Sequence, residues 1–177
     1  MGYMLIYRLA DIAPDTPTLP RDPCVYAVLW FRGGRPVPIP RMLGVDYRGV
    51  LYVEATENLR RRVVSDLLRH LKAARSGGKP RANRHALVVV AEYFGLLDKI
   101  RDEELYITFK AYPDTLTAWR HGWAVLRTYA EHYGEPPPLN IYFDRKQLLV
   151  EPAEPDPELL EALGLRKANR GQALGVE

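Results

Sequence analysis

The sequence predicts a mixed α/β (α+β) fold. Nearly continuous runs of β-branched and aromatic residues over 24–31 and 50–53 are typical of buried strands. Apolar residues that recur every three or four positions over 57–75 and 115–132 indicate amphipathic helices. A length of 177 residues with 47% hydrophobic residues suits one domain with a sizeable core. We therefore expect strands and helices in the order β-β-α-(α)-β-α-β-β.

The N-terminal half supplies the first strands and a long helix. Residues 4–8 (MLIYR) predict a short edge strand, and 24–31 (CVYAVLWF) predict a buried one. Two glycines and three prolines make 32–41 a predicted loop, and a short strand over 42–45 precedes the strand at 50–53. Thr56 stands where an N-cap belongs, before a helix over 57–75. One stripe of this helix should face the core: Leu59, Val63, Leu67, Leu71 and Ala74.

The C-terminal half contains two further helices and a predicted hairpin. The apolar stretch 85–100 has an ambiguous period that suits a strand or a helix, and we favour a helix that ends near Asp98. The alternating stretch 105–112 predicts a strand. A helix over 115–132 follows and is stopped by Gly134 and three prolines. Residues 139–143 and 147–150 predict a hairpin, and 155–163 predict a short helix. The core face of the helix over 115–132 is predicted to contain Leu116, Trp119, Trp123, Leu126 and Ala130.

Positive charge is concentrated in one segment. Residues 58–85 carry nine Lys and Arg and a single acid, Asp66, so the segment has a formal charge of +8 on a chain whose total is +3. A local field of this kind favours an anionic partner, with nucleic acid as the first candidate, although a solvated helix face is the simpler alternative. We expect His85 to lie at the surface. The candidate nucleic-acid-binding residues are Arg60, Arg61, Arg69, His70, Lys72, Arg75, Lys79, Arg81 and Arg84.

Composition argues against a disulfide-bonded protein, a cysteine-built metal site and a membrane-spanning protein. The single cysteine, Cys24, cannot form an internal disulfide or a cysteine-built metal site. No apolar run approaches the roughly 20 residues that span a bilayer, and residues 1–12 lack the basic region typical of a signal peptide. We therefore expect a cytoplasmic protein without a membrane segment. Abundant arginine and proline suit a thermophile.

One motif joins the second main strand to the basic helix. The stretch YVEATENLRRR places Tyr52 at the strand end and Arg62 in the helix, and Tyr26 stands on the preceding strand. Asn140 follows three prolines later in the chain. Together these residues resemble the GIY-YIG nuclease family, in which a strand ends near Gly-Ile-Tyr and the next runs Tyr-Ile-Gly-x-[ST]-x-[ND]-L-x-x-R. The resemblance extends over 22–141.

The resemblance implies both a fold and a chemistry. It implies a small, largely antiparallel central sheet flanked by helices over 22–143, with an N-terminal extension over 1–21 and a C-terminal strand, short helix and tail over 144–177. By resemblance, Tyr26 and Tyr52 would orient or deprotonate a water. Arg62 would hold the scissile phosphate through its fork of donors, and Asn140 would support the site. A carboxylate would hold one Mg²⁺ or Mn²⁺ ion.

The chain departs from the family pattern at three positions. Cys24 replaces the glycine of the first motif, Glu54 replaces the glycine of the second, and Gly122 stands where the family has its metal-binding glutamate. These departures predict a degenerate member that binds nucleic acid with lost or weak endonuclease activity. If Glu54 serves as the metal ligand from the strand end, the chain is instead an active metal-dependent endonuclease. A non-catalytic protein-interaction module is the third alternative.

Overall fold

Four antiparallel strands form the central sheet, in the order β1-β7-β2-β6. Their bounds are Ile6–Arg8 (β1), Leu105–Ala111 (β7), Cys24–Arg32 (β2) and Val50–Thr56 (β6). The structure is a computed structural model that describes residues 4–13, 19–77, 84–141 and 150–165. The predicted mixed fold with an antiparallel central sheet is confirmed.

Three short strands complete the sheet structure. Strand β3 (Arg35–Pro36) folds back on the end of β2 through a two-residue turn, and β4 (Ile39–Arg41) pairs with β5 (Gly44–Asp46) in a separate hairpin. The β2–β3 turn uses Gly33 and Gly34, both at positive φ, which is the backbone that tight hairpins favour. The prediction of a loop over 32–41 is therefore wrong in part. The strand predicted at 42–45 is found at Gly44–Asp46, because residues 42 and 43 form the turn of the β4–β5 hairpin.

The helices lie on both sides of the sheet. The basic helix covers 59–75, π-helical over Arg61–Leu68 and α-helical over Arg69–Arg75 (α1). The other helices are α2 (Ala86–Tyr93), α3 (Thr115–Tyr133) and α4 (Pro157–Ala162). Short 3₁₀ turns cover Leu9–Asp11, Leu96–Asp98 and Asp102–Glu104. In the part of the chain that the structure describes, no helix has the length and apolar character needed to span a membrane.

Each face of the sheet packs into its own core. On the first, which we call the basic-helix face, Tyr26, Val28 and Tyr52 pack under the basic helix and α2. On the second, the α3 face, Val25 and Ala55 pack with other small and branched residues under α3 and α4. The predicted terminal extensions also contribute, since 9–19 supply leucines to the first core and 159–165 supply leucines to the second.

A buried carboxylate holds the turn that leads into β6. Asp46 accepts hydrogen bonds from the backbone N–H groups at positions 48, 49 and 50 (2.7, 3.2 and 3.0 Å) and from the hydroxyl of Tyr129 (2.8 Å). Gly49 has φ +68°, and a Cβ there would lie 2.6 Å from the carbonyl oxygen of Trp30, so only glycine fits. The turn thereby fixes which residues of β6 face the basic helix.

Two predicted helix boundaries are wrong. The basic helix is capped by Asn58 rather than Thr56, because Thr56 still belongs to β6 and the N–H of Arg61 donates to Asn58 Oδ1 (2.9 Å). Helix α2 ends at Tyr93 rather than near Asp98, because the chain turns at Gly95, which has φ +65°.

The predicted core face of α3 and the predicted hairpin also need correction. The buried stripe of α3 contains Ala118, Gly122 and Val125, whereas Leu116 is 54% exposed and Trp119 is only partly buried. Small residues form the first part of the stripe because the helix lies close to the sheet there, whereas Leu126, as predicted, and Tyr129 are buried further along. In the predicted hairpin, residue 139 lies in a turn rather than a strand, and 142–149 fall outside the described residues.

Candidate functional site

Three polar side chains on β2 and β6, those of Tyr26, Tyr52 and Glu54, share one face of the sheet. In the β2–β6 pairing, Tyr26 lies opposite Glu54 and Val28 lies opposite Tyr52. Directly opposed residues point to the same side, and so do residues two apart on a strand. Tyr26 and Tyr52 are 0% and 3% exposed, with ring centroids 6.4 Å apart. The sheet therefore brings Tyr26, Tyr52 and Glu54 together beneath the basic helix.

Arg62 forms a bidentate ion pair with Glu54. Its Nε donates to Glu54 Oε2 (2.9 Å) and its Nη2 donates to Oε1 (2.6 Å), which is the bidentate geometry of the strongest arginine–carboxylate pairs. Its Nη1 lies 3.5 Å from Asp66 Oδ2 on the next turn. The side chains of Arg62 and Glu54 are 25% and 17% exposed, so this pair forms the solvent-facing rim of the site.

A buried histidine completes the cluster and was missed by sequence reasoning. His85 is 0% exposed rather than at the surface, and its Nε2 lies 2.8 Å from the Tyr26 hydroxyl. The N–H of Leu87 donates to His85 Nδ1 (3.2 Å), so the hydrogen of the neutral ring belongs on Nε2. The Tyr26 hydroxyl in turn donates to Glu54 Oε2. His85, Tyr26 and Glu54 thus form one directed chain of hydrogen bonds.

The position of His85 carries one local signal. It immediately precedes an apolar helical run and acts as the N-cap of α2. Its ring meets Tyr26, which is 59 residues away in sequence. The local pattern could have predicted a cap, but not the contact.

The protonation of the cluster follows from burial and from the ion pair. Burial favours the neutral acid, but the nearby Nε2–H of His85 (3.5 Å from Oε2) and the fork of Arg62 lower the pKa of Glu54 to about 2. Burial raises the pKa of Tyr26 and of Tyr52, and the charge of Glu54 adds to both shifts. Burial lowers the pKa of His85. At neutral pH the cluster therefore contains one carboxylate, one guanidinium and otherwise neutral groups.

His70 has a buried structural position instead of the predicted phosphate contact. It is 6% exposed, and its Nδ1 accepts the backbone N–H of His85 (2.9 Å). Burial and the nearby Arg69 lower its pKa. The ring therefore orients the start of α2, and with it the His85 ring, rather than facing an external ligand.

Asn140 supports the strand that carries the site. Its Nδ2 donates to the carbonyl of Val53 (2.8 Å), and its Oδ1 accepts the N–H of Val53 (2.9 Å). Val53 lies between Tyr52 and Glu54, so this pairing satisfies the backbone of β6 between the two site residues. The amide acts through the strand and has no hydrogen bond to the other site side chains.

The fold does not support Gly122 as the position of a lost metal ligand. A Cβ at Gly122 would lie 2.9 Å from Ala55 Cβ and 3.5 Å from Val25 Cγ2, both of which belong to the α3 face. A side chain here would point to the opposite side of the sheet from Tyr26. The glycine is explained instead by the close approach of α3 to β6.

The cluster does not form a magnesium or manganese site. Both oxygens of Glu54 already accept hydrogen bonds, from Arg62 and Tyr26. Over residues 4–13, 19–77, 84–141 and 150–165, no group of three or more His, Cys, Asp or Glu side chains is placed to hold a metal ion.

Several predicted nucleic-acid contacts are neutralised by acids that lie outside the basic segment or at its edge. Arg61 pairs with Glu57 (2.6 Å). Arg75 pairs with Asp102 (2.6 Å) and also donates to two backbone carbonyls after α2. Arg84 pairs with Glu92 and has a side chain only 2% exposed, so its predicted phosphate contact is wrong. The charge of +8 counted along the sequence therefore overstates the field at the surface.

Two of the predicted cations remain exposed along one groove. Arg69 and Lys72 are exposed, and they line a groove of about 600 Å³ between the basic helix and the 3₁₀ turn Leu9–Asp11. Within the described part of the chain, neither has an ion pair with an acid. Arg60 donates its backbone N–H to the carbonyl of Pro20 (3.0 Å). Lys79 and Arg81 lie outside the described residues.

Comparison of the chain with protein-family models, with curated proteins and with solved structures gave no match.

Proposed function

We propose that this protein binds nucleic acid through the phosphate backbone, with a GIY-YIG-like arrangement of Tyr26, Tyr52 and Arg62 and with weak or lost cleavage. The observation that carries the proposal is that Arg62 and Tyr26, from different elements, donate to one oxyanion, the carboxylate of Glu54. A phosphate presents the same kind of oxygen pair to an arginine fork. These donors therefore form an oxyanion-binding site near the N-terminal end of the basic helix.

Binding is favoured over cleavage by the protonation of the site. Phosphodiester hydrolysis needs an activated water and a group that stabilises the developing charge. Tyr26 and Tyr52 are neutral phenols with raised pKa values, and a carboxylate with a pKa of about 2 is a poor base at neutral pH. No group in the cluster is therefore poised to deprotonate a water.

The exposed part of the basic helix supports binding to the phosphate backbone of a nucleic acid. Arg69 and Lys72 lie one to three turns beyond Arg62 on the same helix, and both reach solvent. Contacts of this type position a nucleic acid without reading its sequence. We therefore expect little sequence preference.

The test is a binding assay combined with a nicking assay. Arg62→Ala is expected to weaken binding to a labelled oligonucleotide at low salt by at least tenfold, whereas Arg61→Ala, at a neighbouring and exposed arginine, changes it little. Arg62→Lys, which keeps the charge but loses the fork, controls for the fold and is expected to weaken binding to an intermediate degree. Binding that is absent at low salt, or unchanged in Arg62→Ala, would contradict the proposal.

Nicking of supercoiled DNA with Mg²⁺ or Mn²⁺ is measured on the same samples. We expect slow nicking or none. Efficient, metal-dependent nicking that disappears in Arg62→Ala would instead establish the active endonuclease alternative, with a carboxylate supplied by rearrangement of Glu54.

A protein-interaction module is the second candidate, because one apolar patch lies away from the basic helix. Met42 and Leu43, at the tip of the β4–β5 hairpin, are 72% and 67% exposed, and Tyr47 nearby is 70% exposed. The N–H of Leu43 donates to the carbonyl of Tyr133 at the end of α3 (3.0 Å), so the tip is held against the structure. Exposed apolar clusters of this kind mark protein contacts.

The discriminating experiment for this candidate is site-specific cross-linking. A photoreactive residue at position 43 should capture one defined protein, and Met42→Ser with Leu43→Ser should abolish that capture without changing nucleic-acid binding. Cross-links to many proteins, each unaffected by the substitutions, would remove this candidate.

A further inference from the structure

The carboxylate of Glu54 occupies the position that an incoming phosphate needs. Its Oε1 accepts Arg62 Nη2, and its Oε2 accepts both Arg62 Nε and the Tyr26 hydroxyl. The Nε–Nη2 edge of the guanidinium, which is one of its two bidentate edges, is therefore already used, and the remaining nitrogen, Nη1, lies beside Asp66. A phosphate cannot take the same fork while this ion pair is intact.

We propose that the carboxylate of Glu54 competes with phosphate for Arg62: a phosphodiester replaces this carboxylate on the guanidinium, and Glu54 takes up one proton as it is displaced. The inference rests on the proposed nucleic-acid binding and adds the event that admits the phosphate. It assigns Glu54 to gating an anion rather than to holding a metal.

The surroundings of Glu54 make proton uptake the expected response. A carboxylate that has lost Arg62 beside a phosphate would form a partly buried pair of like charges, which strongly favours the neutral acid. The protonated acid can then donate a hydrogen bond to a phosphate oxygen. The titratable and charged groups that face Glu54 from the elements packed around it are Tyr26 on β2, Tyr52 on β6, Arg62 and Asp66 on the basic helix, and His85 before α2.

Neither His85 nor the two tyrosines can take up the proton in place of Glu54. Asp66 adds negative charge beside Arg62 (3.5 Å) and reinforces the repulsion of a phosphate. His85 already uses Nδ1 to accept the Leu87 N–H and carries its hydrogen on Nε2, so protonation would break its cap. The two tyrosines are already neutral and cannot take up a proton.

The consequence is a binding affinity that depends on pH through Glu54. If one proton is taken up for each phosphate bound, the affinity rises about tenfold for each unit by which the pH falls. This slope applies at pH values above the pKa of Glu54 in the unliganded protein and below its pKa in the complex. A phosphodiester keeps a single charge over this range, unlike a phosphomonoester, whose second pKa is near 6. The titration therefore reports on the protein.

The experiment measures the dissociation constant of a short oligothymidylate carrying a pH-insensitive dye, between about pH 5.5 and 7.5 at constant salt. Wild type is expected to bind more tightly as the pH falls, with a slope that approaches tenfold per pH unit below the pKa of Glu54 in the complex. Glu54→Gln, which removes the anion, is expected to bind at least tenfold more tightly than wild type at the upper pH and to lose most of the slope. Equal slopes in both proteins, or no tighter binding by Glu54→Gln, would overturn the inference.

Calorimetry of wild type in buffers of different ionisation enthalpy supplies a measurement that does not depend on a variant. Uptake of about one proton per binding event at neutral pH supports the proposal, and uptake of none overturns it. The two proposals fail differently. Loss of all binding at low salt removes the nucleic-acid function, whereas binding that depends on Arg62 without any Glu54-dependent slope removes only the gating by Glu54.

Discussion

At the residue scale, the hydroxyl of Tyr26 connects the buried histidine to the ion pair. It lies 2.8 Å from His85 Nε2 and donates to Glu54. Tyr26→Phe leaves His85 Nε2–H without its partner, so we expect the free energy of unfolding to fall by about 1–3 kcal/mol. Urea denaturation measures the loss. Tyr47→Phe, at a tyrosine that is 70% exposed, is the matched control and should change stability by less than about 0.5 kcal/mol.

Glu54 also predicts how stability responds to acid. Its pKa in the folded protein is about 2, below the ordinary 4.5, so its stabilising contribution is complete above about pH 5 and is lost as the pH falls towards 2. The pKa of Glu104 is lowered too, mainly by its hydrogen bond to Arg32, so wild type alone would report on both carboxyl groups. The comparison with Glu54→Gln separates the contribution of Glu54. The difference in unfolding free energy between wild type and Glu54→Gln should shrink by about 1–2 kcal/mol between about pH 5 and 3.

The control for this prediction is an exposed glutamate. Glu103→Gln, at a side chain that is 52% exposed, should follow wild type throughout the titration. A constant difference between wild type and Glu54→Gln would mean that the Arg62 pair does not stabilise the ionised form.

Residue spacing determined how much of the site could be predicted. Tyr52 and Arg62 belong to one strand–turn–helix unit, so their local pattern predicted that they lie near each other. Glu54 lies in the same unit, eight positions before Arg62, and its pairing with Arg62 could have been anticipated from this short separation. His85 could not, because only the packing of α2 brings it to Tyr26.

At the scale of elements, two features of the helices had no signal in the sequence. The basic helix is π-wound over Arg61–Leu68, the turn that carries Arg62, although its buried stripe follows the predicted spacing through Leu59, Val63, Leu67 and Leu71. Such π-turns occur often at functional positions. Helix α3 presents small residues rather than tryptophans to the sheet, because the pattern of large apolar residues does not reveal how closely two elements approach.

The close approach of α3 to β6 can be tested at Gly122. Alanine improves helix propensity by about 1 kcal/mol, but its Cβ would lie 2.9 Å from Ala55 Cβ, and neither atom can move without its backbone. The overpacking cost is about 1–3 kcal/mol, so Gly122→Ala should be destabilising overall, by up to about 2 kcal/mol in urea denaturation.

A double-mutant cycle shows whether this contact is the cause. Ala55→Gly removes the opposing Cβ, so Gly122→Ala should cost less in the Ala55→Gly background than in wild type. The same cost in both backgrounds would place the strain elsewhere.

At the scale of the whole molecule, the sheet separates two surfaces of different chemistry. The basic-helix face carries the polar cluster and the exposed cations, whereas the α3 face is an apolar core that ends in the exposed hairpin tip at Met42 and Leu43. The sequence predicted the fold class and the basic segment. It did not predict that Glu92 and Asp102 would neutralise Arg84 and Arg75, because those pairs join distant parts of the chain.

This distribution of charge predicts the salt dependence of binding. Each phosphate contact contributes about −0.7 (single strand) to −0.9 (duplex) to the slope of log affinity against log salt. Arg69→Ala with Lys72→Ala should therefore reduce the magnitude of the slope by about 1.4–1.8, to a similar extent for unrelated sequences. Arg120→Ala with Arg127→Ala is the matched control, because it also removes two exposed cations, but from α3, beyond the opposite face of the sheet; Arg127 is paired with Glu131 on the same helix (2.9 Å). An equal loss of slope in the control would show that binding follows net charge rather than the basic helix.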